Sequence, residues 1–257
     1  ILSVNPIDIS HPLKRLYTSA LGGGGVAAGD FDGDNRCDLY FVSGARTNTL
    51  YRNRGNGRFD DISKVAGVTG GSAWGSGVAA VDIDGDADLD LYVCNYGSSN
   101  QLFINDGNAK FVESASRFGL AHSGAFGMAA FADYDLDGDL DVYLLGHRFY
   151  RAGGRPNRAV TILKDGRNQM LPEFENYYGV SERRGNMQIN NVGAPDKLLR
   201  NDNGRFVEVT RLAGISTNRY HGNSVTWWDF NHDGLPDLYV GNDFEDPDLL
   251  YRNNGNL

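Results

Sequence analysis

Apolar residues along this chain fall into short runs rather than into helical faces. Four runs of small apolar residues stand out: GGVAAG from Gly24, SGVAAV from Ser76, FGMAAFA from Phe126 and NSVTWW from Asn223. Each is followed by an aspartate-rich turn and then by a second apolar run, DLYF, DLYV, DVYL or DLYV. A third segment alternates apolar and polar residues, as in NQLFIND from Asn100. An Asn/Gly turn then leads into a fourth, such as KFVESAS from Lys110. The first run reads as a strand buried on both faces and the third as a half-buried strand. Asn56-Gly57 and Asn203-Gly204 mark hairpins, because both residue types tolerate positive φ. No stretch outside the long insertion described below shows helical periodicity.

Four strands per repeat of about 50 residues predict an all-β fold built from propeller blades. Asp30, Asp82 and Asp133 open successive acidic turns 52 and 51 residues apart, whereas Asp133 to Asp229 is 96. The second half of the third repeat is displaced by the same 45 residues, so that repeat carries an insertion over residues 146–194. The expected organisation is one propeller domain over residues 1–257. Its repeats lie near 22–68, 74–120, 125–215 and 222–257, the last one truncated. Residues 1–21 form a lead-in, and residues 6–10, PIDIS, are in phase with FDDIS at 59–63 as an outer strand. Two arrangements follow: the chain is part of a larger propeller cut within its fourth blade, or residues 6–10 close a four-bladed ring.

The acidic turns carry the chemistry. Seventeen of the 33 acidic residues lie in four nine-residue segments. Like charges ~4 Å apart repel by ~4 kcal/mol at an effective dielectric of 20, so such turns need a compensating cation. Side chains at positions 1, 3, 5 and 9, with a backbone carbonyl at position 7, make a cage of about 6 to 8 oxygens, which suits Ca²⁺ rather than zinc or copper. The side-chain sets are Asp30, Asp32, Asp34 and Asp38; Asp82, Asp84, Asp86 and Asp90; Asp133, Asp135, Asp137 and Asp141; and Asp229, Asn231, Asp233 and Asp237. Arg36, Asp88, Asp139 and Leu235 supply the position-7 carbonyls. Up to four Ca²⁺ ions are expected. An EF-hand is excluded, because position 12 holds Phe41, Val93, Leu144 and Val240 instead of glutamate. Gly138 and Gly234 suit position 6, Asn35 tolerates it, and Ala87 is costly there, with Gly33 and Gly85 at position 4 as relief.

The D-x-D-x-D-G-x-x-D turn, with LYRNxGNGRFxDxSxxAGV behind it, resembles the FG-GAP/VCBS repeat. More narrowly it resembles the ASPIC/UnbV, cartilage-acidic-protein type of repeat, and it is related to the integrin α-subunit head. The resemblance covers most of the chain outside the insertion. It implies a β-propeller, commonly seven-bladed, in which the calcium turn joins the innermost strand of a blade to the second. No ASPIC/UnbV C-terminal domain is visible.

Charge and composition narrow the function. A net charge of −9 disfavours nucleic acid as a partner. No run of 18 apolar residues is present, so no membrane-spanning helix is expected. The chain opens on Ile1 rather than Met, as a processed or trimmed chain would. Cys37 and Cys94, both in apolar strand-like stretches, read as buried free thiols, with a disulfide as the alternative. Calcium modules of millimolar affinity suit a secreted, cell-surface or periplasmic location. The expected role is a non-catalytic interaction, adhesion or scaffold module.

The insertion is the candidate partner surface. It sets Arg148, Arg151, Arg155, Arg158, Lys164, Arg167, Arg183 and Arg184 against Asp165, Glu173, Glu175 and Glu182, alongside Phe149, Tyr150, Phe174, Tyr177 and Tyr178. Arginine with aromatics is the composition of interface anchors, here facing another protein chain or a glycan. The alternative reading is a self-folded loop covering a propeller face or a neighbouring subunit. A second functional class is a carbohydrate-binding or polysaccharide-active propeller. For catalysis His147, His221, Tyr150 and Tyr220 are the candidates; for sugar stacking, an exposed Trp74, with Trp227 and Trp228 expected in the core.

Overall fold

The computed structural model describes residues 10, 14–18, 24–44, 46–183, 185–243 and 246–256. Apart from Ser10, the expected outer strand at 6–10 lies outside these residues. The protein is all-β. Strands β1 (Gly25–Gly29), β2 (Asp38–Val42), β3 (Thr49–Gly55) and β4 (Arg58–Asp61) form one antiparallel sheet in sequential order. Strands β5 (Trp74–Val81), β6 (Asp90–Ser99), β7 (Gln101–Asn105) and β8 (Phe111–Glu113) form the second blade.

The third blade begins with β9 (Ser123–Ala132) and β10 (Asp141–Gly146). Two hairpins then leave the sheet, β11 (Thr161–Lys164) with β12 (Arg167–Met170) and β13 (Tyr178–Arg183) with β14 (Asn186–Asn191). The blade resumes with β15 (Lys197–Asn201) and β16 (Phe206–Glu208). The fourth blade has β17 (Gly222–Trp228), β18 (Asp237–Asn242) and β19 (Leu249–Tyr251) among the described residues. The first strands of the blades stand beside one another in the order β1, β5, β9, β17, a propeller arrangement.

The core lies between blades. Leu91 and Val93 of β6 pack toward the first blade with Tyr40, Val42 and Leu50. Tyr92 and Cys94, the alternate residues of the same strand, pack toward the third with Val142 and Leu144. Tyr143 and Leu145 of β10 in turn face Val225, Leu238 and Val240 of the fourth blade. The second strand of each inner blade is therefore the one buried on both faces, not the first as expected from the sequence. Side chains alternate across a strand, so a strand sandwiched between two sheets must be apolar throughout.

The first strands are only partly covered; Val26 is 58% and Met128 40% exposed. Their small residues serve a different end, the close approach of neighbouring backbones. A Cβ on Gly77 would lie 2.2 Å from the Gly127 carbonyl oxygen.

Three further expectations change. Short helices α1 (Ser63–Ala66) and α2 (Ala115–Phe118) follow the fourth strands, each ended by a left-handed glycine, Gly67 or Gly119. One turn is too short to leave a 3.6-residue period in the sequence. Cys94 is buried and Cys37 is exposed, both as free thiols; Cys37 sits in the acidic turn, one residue before β2. Two of the three tryptophans are reversed, while Trp227 packs against the fourth-blade core as expected. Trp74 is buried against Leu16, Tyr96 and Ala125, while Trp228 is 48% exposed and Trp227 half-buried. Trp74 starts a first strand where a 3-10 turn, Lys14–Thr18, covers it through Leu16. Trp228 ends a first strand on its open side.

The insertion folds on itself. Val160, Phe174 and Tyr178 form its small core. Arg151 and Arg158 stack on Phe174 at 5.6 and 5.0 Å, and Arg148 on Tyr150 at 4.5 Å. At its base Arg148 bridges to Gly193 and the Ala194 N–H donates to the His147 carbonyl.

Candidate metal centres in the acidic turns

Each acidic turn is the loop of a hairpin between first and second strands, in one fixed register. Gly29 pairs with Asp38, Val81 with Asp90, Ala132 with Asp141 and Trp228 with Asp237. The nine-residue loop reverses the chain with two left-handed residues, at positions 4 and 6. They are Gly33 and Asn35, Gly85 and Ala87, Leu136 and Gly138, and His232 and Gly234. One glycine per turn suffices, and its place switches from position 4 in the first two turns to position 6 in the last two. Leu136 and His232 at position 4 were not foreseen; a left-handed L-residue costs about 1–2 kcal/mol, which something in each turn must offset.

Hydrogen bonds supply part of that. The position-1 carboxylate accepts the N–H groups of positions 5 and 6: Asp30 from Asp34 and Asn35, Asp82 from Asp86 and Ala87, Asp133 from Asp137 and Gly138, Asp229 from Asp233 and Gly234. The position-5 carboxylate accepts the N–H of position 7, which is Arg36, Asp88, Asp139 or Leu235. The position-9 carboxylate is fully buried and accepts two, the N–H of position 2 and that of an asparagine on the third strand or, in the fourth blade, two residues beyond it.

Sequence reading missed these asparagines: Asn53, Asn105, Asn201 and Asn253. Each also donates its side-chain amide to the position-8 carbonyl, tying the turn to the third strand. Asn105 and Asn253 reach the preceding blade as well, at the Phe31 and Tyr134 carbonyls. The signal was present, since the asparagine recurs in LYRN, LFIN, LLRN and LYRN. Asparagine beside a turn also has a purely local explanation, so the motif alone does not single it out.

What remains is an unsatisfied set of oxygens. Carboxylate oxygens of Asp30, Asp32 and Asp38 lie within 4.8 Å of one another, as do those of Asp82, Asp84 and Asp86, and of Asp133, Asp135 and Asp141. In the fourth turn the amide of Asn231 donates to Asp233, at 2.8 Å. Among the described residues Asp32 Oδ1 and Asp135 Oδ1 are buried with no hydrogen-bond partner, although the other oxygen of Asp32 meets Arg52. Burial, then neighbouring carboxylates, pushes Asp84 and Asp135 above the usual carboxylate range; burial likewise raises Asp32, against the opposing charge of Arg52. Burial lifts Asp90 to about 6 and Asp141 to about 7. Clustered carboxylates beside like charges, with the Asp32 carboxylate met by Arg52 and that of Asp135 by no such contact, fit a hard cation held by oxygen ligands.

The other candidate residues fare differently. His147 and His221 do meet, with ring centroids 5.9 Å apart. Both are buried, at 4% and 7% exposure, and His221 Nδ1 lies 2.7 Å from Asp246. Burial first, then the His221 charge, lowers His147 to about 4. Neither ring presents a base to solvent, and they sit at the opposite strand ends from the acidic turns.

Comparison with known proteins agrees with this geometry. Residues 30–93 and 82–144 match the FG-GAP-like repeat, and residues 221–256 match the FG-GAP repeat. The chain is 28% identical over 239 residues to cartilage acidic protein 1 of Homo sapiens, covering 88% of this chain and 31% of that protein. The Mus musculus protein gives the same identity and length of match, over 32% of its own length. A 145-residue match to the Xenopus tropicalis protein, again 28% identical, covers 52% of this chain and 22% of that one. The chain thus spans about a third or less of the length of these relatives. Repeats matched at both ends of the chain, and acidic turns closed by one hydrogen-bond pattern, make it a member of the FG-GAP-repeat proteins.

Proposed function

We propose that the chain is a calcium-binding, non-catalytic interaction module that works outside the cell as part of a larger propeller. The four turns hold Ca²⁺ through the side chains at positions 1, 3, 5 and 9 and the carbonyls at position 7 named above. A bound ion supplies the charge neutralisation that the clustered carboxylates lack. The protein's own contribution is to fix the oxygens: two left-handed residues shape the loop, backbone N–H groups orient three carboxylates, and a third-strand asparagine locks the turn to its blade. The observation that carries this reading is the buried position-3 oxygen of Asp135, which has no hydrogen-bond partner among the described residues. An extracellular site fits both the millimolar affinity of such cages and the tissue in the relatives' printed name, cartilage. Among the described residues no helix is long and apolar enough to cross a membrane.

The partner surface is the insertion between β10 and β15. Arg155, Lys164 and Arg167 are exposed there, as are Ile162 and Leu163, in a segment whose cationic balance opposes that of the rest of the chain. An acidic protein surface or a polyanionic glycan is the matching class. Calorimetric titration with CaCl₂ tests the metal reading: up to four bound ions are expected, and no binding heat at millimolar calcium refutes it. Replacing residues 151–191 with a short Gly/Ser linker tests the surface. Binding to a heparin column should weaken while calcium stoichiometry stays the same; unchanged retention refutes the insertion as the contact.

A further inference from the structure

The four turns differ in what the third strand brings to them. The residue before the asparagine is Arg52, Ile104, Arg200 or Arg252. In the first turn the Arg52 guanidinium lies against the Asp32 carboxylate, with Nη2 3.6 Å from Asp34. Arg36 pairs with Asp34 as well. The Asp32 side chain is left 4% exposed, so the arginine closes the mouth of the turn. In the fourth turn Arg252 reaches only Asp233, at 3.8 Å. In the third, Arg200 turns aside to Asp202, at 2.7 Å. In the second, Ile104 carries no charge.

The sequence explains the divergence. Arg200 has an acidic neighbour two residues on, Asp202, whereas the same place holds Arg54 in the first repeat and Asn254 in the fourth. Arg54 is itself paired, with Asp60. Arg52 therefore finds its nearest carboxylates in the turn.

We propose that Arg52 is an internal cation for the first acidic turn, which takes a divalent ion only by displacing the guanidinium and is the weakest of the four calcium sites. Guanidinium keeps its charge at any accessible pH and matches a carboxylate's two oxygens. A fixed positive charge a few ångströms from a divalent ion opposes its entry, and the opposition is stronger where water is excluded. The same contact keeps the first turn closed when calcium is scarce, while among the described residues no third-strand cation pairs directly with the second or third turn, Arg200 acting on Asp135 only at longer range. Loading follows in order: turns two and three, then four, then one. Arg52 sets the affinity of its turn without being an obligatory ligand.

This inference rests on the calcium reading, and one experiment separates the two. Wild type, Arg52→Ile and Arg52→Gln are titrated with CaCl₂ by calorimetry, and each is melted in EDTA. Wild type is expected to show one step at least tenfold weaker than the rest. Both variants should strengthen that step at least tenfold, leave the other steps alone, and melt at a lower temperature than wild type in EDTA. Asp32→Ala, which leaves no oxygen at position 3, should abolish the weak step and spare the others. Four steps of equal affinity, or a weak step that neither Arg52 variant strengthens, overturns the role of Arg52 alone. No calcium binding by wild type overturns both.

Discussion

The repeats and the insertion are stabilised in opposite ways. In the repeats one polar network is built four times, always with the same donors on the same acceptors, and the position-9 aspartate is fully buried each time. In the insertion every contact occurs once. Its core is Val160, Phe174 and Tyr178, its arginines stack on its own aromatics, and its ion pair, Arg158 with Glu173, is 63% and 50% exposed. A blade can demand buried charge because each turn is fixed by strands on both sides. A two-stranded hairpin alone is marginal, so the insertion relies on local stacking and on its closed base. The blades thus supply rigidity, and the insertion is free to differ.

The sharpest contrast comes from single substitutions. Asp141→Ala strips the partner from two buried N–H groups, those of Tyr134 and Asn201. In calcium it should cost about 3 kcal/mol or more in urea unfolding. Asp139→Ala, two residues away, half-buried and with only its backbone engaged in the turn, should cost under about 0.5 kcal/mol. Equal losses would deny the position-9 residue its special place.

The junction between the regions is next. The His147 ring is held near pKa 4 by burial, against an ordinary value of 6.5. The unfolded chain therefore takes up a proton that the folded chain refuses as pH falls through 6.5 toward 4, and stability drops across that window. The full loss is about 3 kcal/mol. His147→Gln lacks this term, so acidification from pH 7 to 4.5 should lower its melting temperature less than that of wild type. A parallel fall would mean that the junction does not titrate in this way.

Smaller effects come from the turn backbone and the insertion surface. Ala87→Gly removes a left-handed alanine at φ 73° and should stabilise by about 0.5–1 kcal/mol; destabilisation would mean that its methyl matters more than its backbone. Arg158→Ala breaks an exposed pair and a stacking contact with Phe174, and should cost about 0.5–1.5 kcal/mol. A larger loss would make the insertion more interdependent than its exposure suggests.

Repetition decided what could be read from sequence. Four acidic turns in phase define the strands on either side of them, because one spacing excludes chance where a single turn would not. The insertion appeared as a 45-residue delay, but its two hairpins were invisible; a segment without repeats or strong alternation has no periodic signal. The meeting of His147 with His221 depends on how the third and fourth blades are placed, which local pattern does not encode. Trp74 and Trp228 were misjudged for the same reason, since a tryptophan at the end of a first strand is buried or bare according to what lies across it. In the fold it is Leu16 that covers Trp74.

The central claim is that a divalent cation clamps the acidic turns. Melting the protein in EDTA and in 1 mM CaCl₂ tests it most directly. With site affinities of ~10⁻⁴–10⁻³ M, each occupied turn adds about 0.4–1.4 kcal/mol. Four turns together should raise the melting temperature by about 5–20 °C, reversibly. Superimposable melts in EDTA and calcium would contradict the account.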